Sequence, residues 1–433
     1  MTPAARLSAA IEVIDAIDRN RTPAGNALKE WGTAHRFAGS GDRAAISGLV
    51  YDVLRRRASS AWLMDDDTPR ARVLGMLKLE RELDAAAIAT LCDGGRFAPE
   101  PLNDAEAAAL QSRSLDNAPA HVTGDYPEWL EPQFAATFGD DRAAEAKAMA
   151  RRAPLDLRVN TLKANRDKAY KSLAHLGAQP TPWSPLGLRI QLDADARSPG
   201  VHSEEDFVKG AVEVQDEGSQ IAALLTAAKP GEQVIDMCAG AGGKTLALAA
   251  MMQGKGRLIA TDADKRQLAP IFERLSRAGV HNCDVRPPKG PDDTLADIKA
   301  SADLAVIDAP CSGTGTWRRN PDAKWRMRPG ALDIRIKDQI EVLDRAAALV
   351  KPGGRIAYIT CSVISDENNA QVRAFVQRHP QFAVVDPEQV TLGLGEKGNA
   401  FASAALVSAE GLLMTPRRTG TDGFFVSVLA RKS

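Results

Sequence analysis

The stretch VIDMCAGAGGKTLALAA, residues 234–250, contains the pattern on which the fold prediction rests. It begins with a short apolar run, Val234–Met237, continues through a glycine-rich turn, and ends in residues that favour a helix. A strand that leads through a tight turn into a helix is the repeating unit of a sheet covered by helices. This stretch therefore predicts an α/β fold in the part of the chain around it.

Apolar runs continue to alternate with helical patterns beyond this stretch. Arg257–Asp262, Asp303–Ala309 and Arg355–Thr360 are predicted to be strands. The segments between them carry apolar residues at helical spacing, and Pro270 is expected to kink one of these helices. Alternating strands and helices predict a Rossmann-like, doubly wound and mostly parallel sheet over residues 211–433.

The chain before this sheet divides into two regions of different pattern. Residues 1–120 are rich in Ala, Leu and Arg at helical spacing, which predicts an all-α domain with Asp42 as the N-cap of one helix. Residues 121–210 contain a helical stretch and two candidate strands, at 155–163 and 187–192, which predict a small α/β subdomain. We therefore expect three domains in the 433-residue chain.

The composition argues against several classes of protein. The formal net charge is −1, so nucleic-acid binding cannot be inferred from global basic character and would need local clusters of cations. No run of about 18 apolar residues predicts a membrane span, and the first residues do not resemble a secretory signal. The five cysteines include no C-x-x-C pair, which argues against a zinc site and a disulfide framework. These features predict a cytoplasmic protein without a membrane segment or a metal.

A glycine-rich turn and an aspartate follow the first two predicted strands, at the edge where such sheets bind ligands. The turn misses both common phosphate patterns, because Cys238 replaces the first glycine of a P-loop and Thr245 the last glycine of a dinucleotide fingerprint. Its backbone N–H groups, together with Asp262 as an acceptor for ribose hydroxyls, would suit S-adenosylmethionine. The alternative interpretation is a structural turn beside a capping aspartate.

Two cysteines, Cys311 and Cys361, follow predicted strands and are expected at the same edge of the sheet. A cysteine there can be a nucleophile if nearby cations or amides stabilise its thiolate. Zinc-deaminase chemistry is disfavoured because Pro310-Cys311 is followed by Ser-Gly-Thr and lacks the second cysteine of that motif. The other three cysteines are interpreted as packing residues: Cys92, Cys238 and Cys283.

Methylation of cytosine at C5 is a reaction in which two thiols can each take part, one in the addition and one in the elimination. C5 is a poor nucleophile until a thiolate adds at C6, and the C5 proton and that thiolate must both leave afterwards. Asp308, three residues before Cys311, is placed to hydrogen-bond N3 of the base and help the addition. The base must also be single-stranded or flipped out of a helix.

Several stretches together resemble the Sun/RsmB-type RNA cytosine-C5 methyltransferases. They occur in one order along residues 120–433: QDEGSQ (215–220), DMCAGAGGKT (236–245), DAPCSGTGTWRRNPDAKWR (308–326), TCSV (360–363), DENN (366–369) and GTDGFF (420–425). The N-terminal third resembles the NusB-like RNA-binding domain of the bacterial branch of that family.

This resemblance implies a role for each matching residue. Cys361 corresponds to the nucleophile, Cys311 to the cysteine that releases the product, and Asp308 to an acid near cofactor and base. Asp262 corresponds to the acid that binds ribose, and Lys244 to a lysine of the site. The implied S-adenosylmethionine loop consists of Cys238, Ala239, Gly240, Ala241, Gly242, Gly243 and Lys244.

The chain departs from the family pattern at two places. Ala241 stands where the family usually has proline. In VRPPKGPDD, residues 285–293, Lys289 stands where an acid near the adenine is usual. Two alternatives stay open: Asp292 or Asp293 substitutes for that acid, or the contact with the adenine is lost.

A stretch of interleaved cations and tryptophans, residues 317–328, is the predicted RNA contact. Cations can neutralise phosphates, and aromatic rings can stack on unpaired bases. The predicted RNA-binding residues are Arg318, Arg319, Lys324, Trp325 and Arg326. The alternative interpretation is a buried tryptophan pair with a solvated basic rim. Weaker candidates are Arg158, Asn160, Arg417 and Arg418.

The function expected from residues and resemblance together is S-adenosylmethionine-dependent RNA (cytosine-C5) methylation. The expected substrate is 16S ribosomal RNA, on the basis of the NusB-like resemblance, and the protein is expected to act as a monomer. Two alternatives stay open, a transfer RNA substrate and a non-catalytic RNA-binding or assembly factor.

Overall fold

Helices make up the N-terminal region of the chain, as its apolar spacing predicts. The structure, a computed structural model, describes residues 1–192, 199–290 and 293–433, which divide into two compact units. The first unit contains residues 1–152 and 317–329, and apolar side chains such as Ile14, Ile46 and Leu74 form its core. Its helices are α1 (Pro3–Asn20), α2 (Ala24–Ala34), α3 (Ser40–Arg55), α4 (Arg57–Met64), α5 (Pro69–Leu79), α6 (Ala85–Leu91), α7 (Asp104–Ser112), α8 (Ala120–Thr123), α9 (Glu131–Phe138), α10 (Arg142–Ala150) and α17 (Pro321–Arg326).

The first turn of α3 differs from the prediction. The helix begins at Ser40, and Gly39 rather than Asp42 occupies the N-cap position. The Asp42 carboxylate accepts hydrogen bonds from the Met1 amino group, at 3.2 Å, and from Arg6 Nε, at 2.9 Å. A carboxylate in the first turn is favoured by the helix dipole, and its two cationic partners draw it away from the backbone.

Residues 317–329, called the tryptophan segment below, belong to the helical unit although they lie between strands of the other unit in sequence. Trp317 is buried and stacks on Phe134, with ring centroids 5.7 Å apart. The indole N–H of Trp325 donates to the carbonyl oxygen of Leu54 at 2.6 Å. Both aromatic rings thus anchor the segment to helices of its own unit.

The second unit begins with a small antiparallel sheet in the order β2-β3-β1-β4. Leu157 of its central strand pairs with Leu188 on one side and Val214 on the other. Strand β4 lies just beyond the domain boundary expected at residue 210. The elements of this region are β1 (Leu155–Val159), α11 (Arg166–Ser172), β2 (Gln179–Pro180), β3 (Gly187–Ile190), α12 (Glu205–Val208) and β4 (Val212–Val214).

The predicted doubly wound sheet forms the rest of this unit, in the order β11-β12-β13-β9-β8-β5-β6-β7, with β10 paired to β13. Strands β9, β8, β5, β6 and β7 are parallel, and β13 runs antiparallel to β9. The strands are β5 (Gln233–Asp236), β6 (Arg257–Thr261), β7 (Cys283–Arg286), β8 (Ala302–Asp308), β9 (Val350–Thr360), β10 (Phe382–Val384), β11 (Leu406–Val407), β12 (Leu412–Met414) and β13 (Phe424–Arg431). The helices are α13 (Glu217–Leu224), α14 (Gly243–Met251), α15 (Lys265–Leu268), α16 (Ile271–Ala278), α18 (Ala331–Leu349), α19 (Asn369–Arg378), α20 (Pro387–Thr391) and α21 (Gly398–Ala404).

Three details of this sheet go beyond the sequence prediction. The short, partly exposed strand β7 was not predicted, and neither was β13, which lies inside the sheet between β12 and β9. Pro270 separates α15 from α16 and so breaks the predicted helix instead of kinking it. Among the described residues, no helix is long and apolar enough to cross a membrane.

Candidate active site

The glycine-rich turn leads from the end of β5 into α14. Gly240 and Gly242 have φ angles of +49° and +86°, in the region that favours glycine. A Cβ on Gly242 would lie 2.6 Å from Cγ1 of Ile271, so packing against α16 also requires a glycine there. A Cβ on Gly240 would meet no atom within 4 Å, which shows that this part of the turn borders open space.

Asp262 follows β6 and faces this turn. Its Oδ2 accepts a hydrogen bond from Gly240 N at 2.9 Å, and its Oδ1 accepts one from Asp264 N at 2.8 Å. The carboxylate is partly exposed, so lone pairs are available to a ligand. An open glycine turn, a helix N-terminus and an aspartate on the neighbouring strand fit the amino-acid and ribose groups of S-adenosylmethionine.

Cys238 begins the predicted cofactor loop, and Lys289 and Asp293 lie in the segment that departs from the family pattern. Burial, followed by the charges of Asp236 and Asp262, raises the pKa of the Cys238 thiol well above its ordinary value, so this thiol stays neutral. Lys289 is exposed, and Asp293 accepts a hydrogen bond from Arg345 at 2.6 Å. Asp292, the other proposed substitute acid, lies outside the described residues.

Lys244 and Asp308 form an ion pair at the carboxyl ends of β5 and β8. Lys244 Nζ lies 2.6 Å from Asp308 Oδ2 and 3.4 Å from Ser219 Oγ. Lys244 also lies over the ring of Phe424, 4.9 Å from its centroid. The lysine is buried, whereas the Asp308 side chain is 33% exposed. The lysine therefore fixes a carboxylate that a substrate can reach.

Asp236, the last residue of β5, is a buried acid that the sequence analysis did not single out. Its Oδ2 accepts a hydrogen bond from Thr245 at 2.7 Å. Burial, with the charge of Asp308 adding to it, raises the pKa of Asp236 to about 7. Its position at the end of an apolar strand, next to the glycine-rich turn, is the sequence signal that could have identified it.

Cys311 and Cys361 meet at the ends of neighbouring parallel strands. Asp308 of β8 pairs with Ile359 of β9, so the residues that follow the two strands emerge side by side. The two sulfur atoms lie 3.4 Å apart, which is hydrogen-bonding distance for thiols. The hydrogen bond to Cys361, followed by burial, raises the pKa of Cys311 well above its ordinary value. The predicted pair of thiols is therefore brought together.

A close glycine contact holds the loops that carry these thiols. Gly315 N donates to the carbonyl oxygen of Cys361 at 2.9 Å, and Gly423 N donates to the carbonyl oxygen of Gly315 at 2.8 Å. A Cβ on Gly315 would lie 2.1 Å from the oxygen of Gly423. The GTDGFF stretch, which precedes and enters β13, therefore packs directly against the site.

The predicted RNA-binding residues have different environments within the tryptophan segment. Lys324 is only 1% exposed, and Nζ donates to the carbonyl oxygens of Asp125, at 2.7 Å, and Arg55, at 3.1 Å. Burial lowers its pKa to about 7. The expectation that Lys324 contacts a phosphate is therefore corrected, because its amino group is enclosed by protein. Arg318 is likewise buried, while Trp325 and Arg319 are partly exposed.

Arg326 is the most exposed residue of the predicted set, with a side chain that is 41% exposed and 3.2 Å from Asp322. Arg158 and Asn160 are buried in the other unit. Arg158 Nε donates to Gln215 Oε1 at 2.6 Å, and Asn160 Nδ2 donates to two carbonyl oxygens at 2.9 Å. These two residues stabilise the fold, whereas Arg417 is exposed.

Comparisons with known proteins agree with the fold. Residues 223–430 match the family model described as 16S rRNA methyltransferase RsmB/F, and residues 126–196 match the model of the RsmF/B-like ferredoxin-like domain. The chain is 32% identical over 395 residues to ribosomal RNA small subunit methyltransferase B of Salmonella newport, which covers 84% of this chain and 90% of that protein.

Solved structures show the same architecture. The crystal structure of PH0851 has a TM-score of 0.71 and 25% identity and covers 99% of both chains. NSun6 from Pyrococcus horikoshii, solved with SFG, has a TM-score of 0.59 and 19% identity and covers 71% of this chain and 98% of that one. The second similarity supports the fold.

Proposed function

The chain belongs to the RsmB/F family of 16S ribosomal RNA methyltransferases, and from this membership we propose that it methylates C5 of a cytosine through a covalent adduct on Cys361. Membership makes it a ribosomal RNA methyltransferase that uses S-adenosylmethionine. The choice of cytosine C5 and the covalent adduct are the proposal. The observation that carries it is the pair of thiols 3.4 Å apart at the end of the sheet.

The cofactor and the base would be held by residues on neighbouring strands. The turn around Gly240 and the carboxylate of Asp262 would bind S-adenosylmethionine, which supplies an electrophilic methyl group when bound. Asp308, fixed by Lys244, would meet the Watson–Crick edge of the cytosine near N3. Because Asp308 is partly exposed while Lys244 is buried, the acid can serve the base without releasing its partner.

The two thiols would act in sequence on the same base. The thiolate of Cys361 adds to C6, and the electrons of the C5–C6 double bond make C5 nucleophilic. After C5 has been methylated, its proton passes to water, the electrons of that C–H bond re-form the C5–C6 double bond, and the sulfur of Cys361 leaves C6 as a thiolate. Cys311 would assist this elimination, since its sulfur lies next to that of Cys361.

The test combines bisulfite sequencing with cysteine variants. Purified protein, 16S ribosomal RNA and S-adenosylmethionine should give 5-methylcytosine, and Cys361→Ala should lower the rate by at least about 10³-fold because the nucleophile is lost. Cys311→Ala should instead accumulate a protein–RNA species that survives denaturation. Cys283→Ala, at a partly buried cysteine of β7, is the matched control and should react like the wild type.

Each contrary outcome has a definite meaning. Turnover by Cys361→Ala would refute the nucleophile assignment, and accumulation of the adduct in that variant instead would reverse the two roles. If the protein methylated transfer RNA but not 16S ribosomal RNA, transfer RNA would take the place of ribosomal RNA as the substrate. If calorimetry shows no binding of S-adenosylmethionine at millimolar concentration, the result favours the alternative of a non-catalytic RNA-binding or assembly factor.

A further inference from the structure

Glu367 is a buried acid that the proposed chemistry does not use, although it lies against the cysteine loop. It ends the turn between β9 and α19, and its side chain is fully buried. Its Oε1 accepts hydrogen bonds from Ser312 N, at 2.7 Å, and Gln339 Nε2, at 3.2 Å. Its Oε2 accepts a hydrogen bond from Ser312 Oγ at 2.5 Å. Two of these three contacts come from Ser312, the residue that follows Cys311.

We propose that Glu367 is the positioning residue that makes the two thiols unequal: it fixes the loop of Cys311 and places a carboxylate against that loop, so that Cys361 is the thiol of the pair that reacts first. The inference rests on the proposed function for the meaning of the two thiols. Its geometric part, the attachment of Glu367 to the Cys311 loop, stands independently of that function.

The positioning part follows from contacts on both sides of Cys311. Gln339 Nε2 donates to the carbonyl oxygen of Pro310 at 2.9 Å as well as to Glu367. Ser312, on the other side, gives both its backbone N–H and its hydroxyl to Glu367. A carboxylate that accepts two donors from one residue restricts both the position and the orientation of that residue. The sulfur of Cys311 is thereby held at a fixed place beside its partner.

The body of the protein holds Glu367 in turn. Tyr358 OH, from β9, donates to the backbone carbonyl oxygen of Glu367 at 2.6 Å. The next residue, Asn368, accepts from Thr360 Oγ1 at 2.6 Å and donates to the carbonyl oxygen of Ser362 at 2.8 Å. Ser362 and Thr360 flank Cys361. Glu367 and Asn368 therefore attach this part of the chain to the loops of both cysteines. The contact with the Cys311 loop is made by the carboxylate of Glu367.

A carboxylate at Glu367 adds to the causes that raise the pKa of Cys311. Two thiols at 3.4 Å that have lost one proton to solvent share the remaining one through an S–H···S contact. The groups that raise the pKa of Cys311 are Cys361, burial and the negative charge of Glu367. Tyr358 also faces this thiol, but burial raises its own pKa well above its ordinary value, so its hydroxyl stays neutral. A negative charge beside Cys311 disfavours a second negative charge there.

The test measures which thiol reacts, without methyl transfer. The protein is treated with iodoacetamide at a series of pH values, and alkylation of each cysteine is quantified by mass spectrometry. In the wild type, Cys361 should react at lower pH than Cys311. In Glu367→Gln, which keeps the shape and can still accept from Ser312 N, the preference should fall by roughly tenfold, the change that one unit of relative pKa produces.

Two further variants separate charge from geometry. Glu410→Gln removes a carboxylate that bonds to Asn369 and Arg373 in the same unit, and it should leave the preference unchanged. Ser312→Ala removes the hydroxyl contact but keeps the charge of Glu367, so the preference for Cys361 should persist.

The proposal is overturned if Glu367→Gln retains the wild-type preference or if Ser312→Ala abolishes it. Should Glu367→Gln fail to fold, equal reactivity of the two thiols in the wild type, or faster reaction of Cys311, would also overturn it. Alkylation of the cysteines does not depend on methyl transfer. A protein that methylates no RNA would therefore contradict the proposed function without contradicting the role of Glu367.

Discussion

Lys244 of the glycine-rich turn and Lys324 of the tryptophan segment are both buried lysines in stretches that resemble family motifs, yet their amino groups meet different partners. Lys244 faces the carboxylate of Asp308 at 2.6 Å. Lys324 donates to two backbone carbonyl oxygens, and burial lowers its pKa to about 7. The comparison teaches that a buried cation belongs to a reactive site when it fixes a group that solvent can reach. Where it joins backbone segments, it belongs to the packing of the domain.

The largest effect that would sharpen this comparison is expected from Asp308→Asn. The variant removes the reachable carboxylate, so kcat/KM on 16S ribosomal RNA should fall by about 10²–10³-fold. The free energy of unfolding should also fall, by about 1–3 kcal/mol, because the buried amino group of Lys244 loses its counter-charge. Single-turnover kinetics and denaturant titration measure the two quantities. A loss of stability without loss of rate would place Lys244 and Asp308 in the same class as Lys324.

Lys324→Met is expected to lower the free energy of unfolding while leaving the methylation rate nearly unchanged. Two buried carbonyl oxygens lose their donor, so the free energy of unfolding at pH 7 should fall by about 1–3 kcal/mol. The methylation rate of the folded fraction should stay within about twofold, since Lys324 has no role in the proposed chemistry. Asp308→Asn is the matched contrast for this variant.

Lys324 should also give the wild type a pH dependence that the variant lacks. Its pKa is about 7 in the folded chain against 10.5 as the ordinary value, so between these pH values the unfolded chain binds more protons. The free energy of unfolding should therefore rise with pH in this window, by up to about 1.4 kcal/mol per unit. Denaturant titrations at pH 7.0 and 8.5 measure the slope. Equal slopes in wild type and Lys324→Met would contradict the assignment.

The smallest effect is expected from Arg326→Ala, in the exposed part of the tryptophan segment. RNA affinity should fall severalfold, and the slope of log affinity against log salt should decrease by about 1, if this cation neutralises one phosphate. Arg19→Ala is the control, because Arg19 forms a similar exposed pair with Asp15 one helical turn away. An unchanged salt slope would make Arg326 a surface residue without an RNA contact.

The sequence predicted those features that depend on local pattern. Apolar runs and the glycine-rich turn identified the parallel strands β5, β6, β8 and β9, though not β7, and their order placed Cys311 and Cys361 at one edge. It did not predict features that depend on distant partners. Lys324 looked like a phosphate ligand because its stretch is basic, and only the fold reveals the carbonyl oxygens around it. The burial of Asp236 and Glu367 was not predicted either, because the burial of an acid is a tertiary property.

The contact between Gly315 and Gly423 has a consequence for the order in which the protein becomes competent. Chain synthesis produces both cysteines before it produces Phe424–Arg431, the strand that pairs with β9 inside the sheet. Until that strand emerges from the ribosome, β9 presents an unpaired edge, and the loop at Gly315 lacks the backbone against which it packs. The loops that carry Cys311 and Cys361 can therefore reach the packing described here only after Phe424–Arg431 has been synthesised.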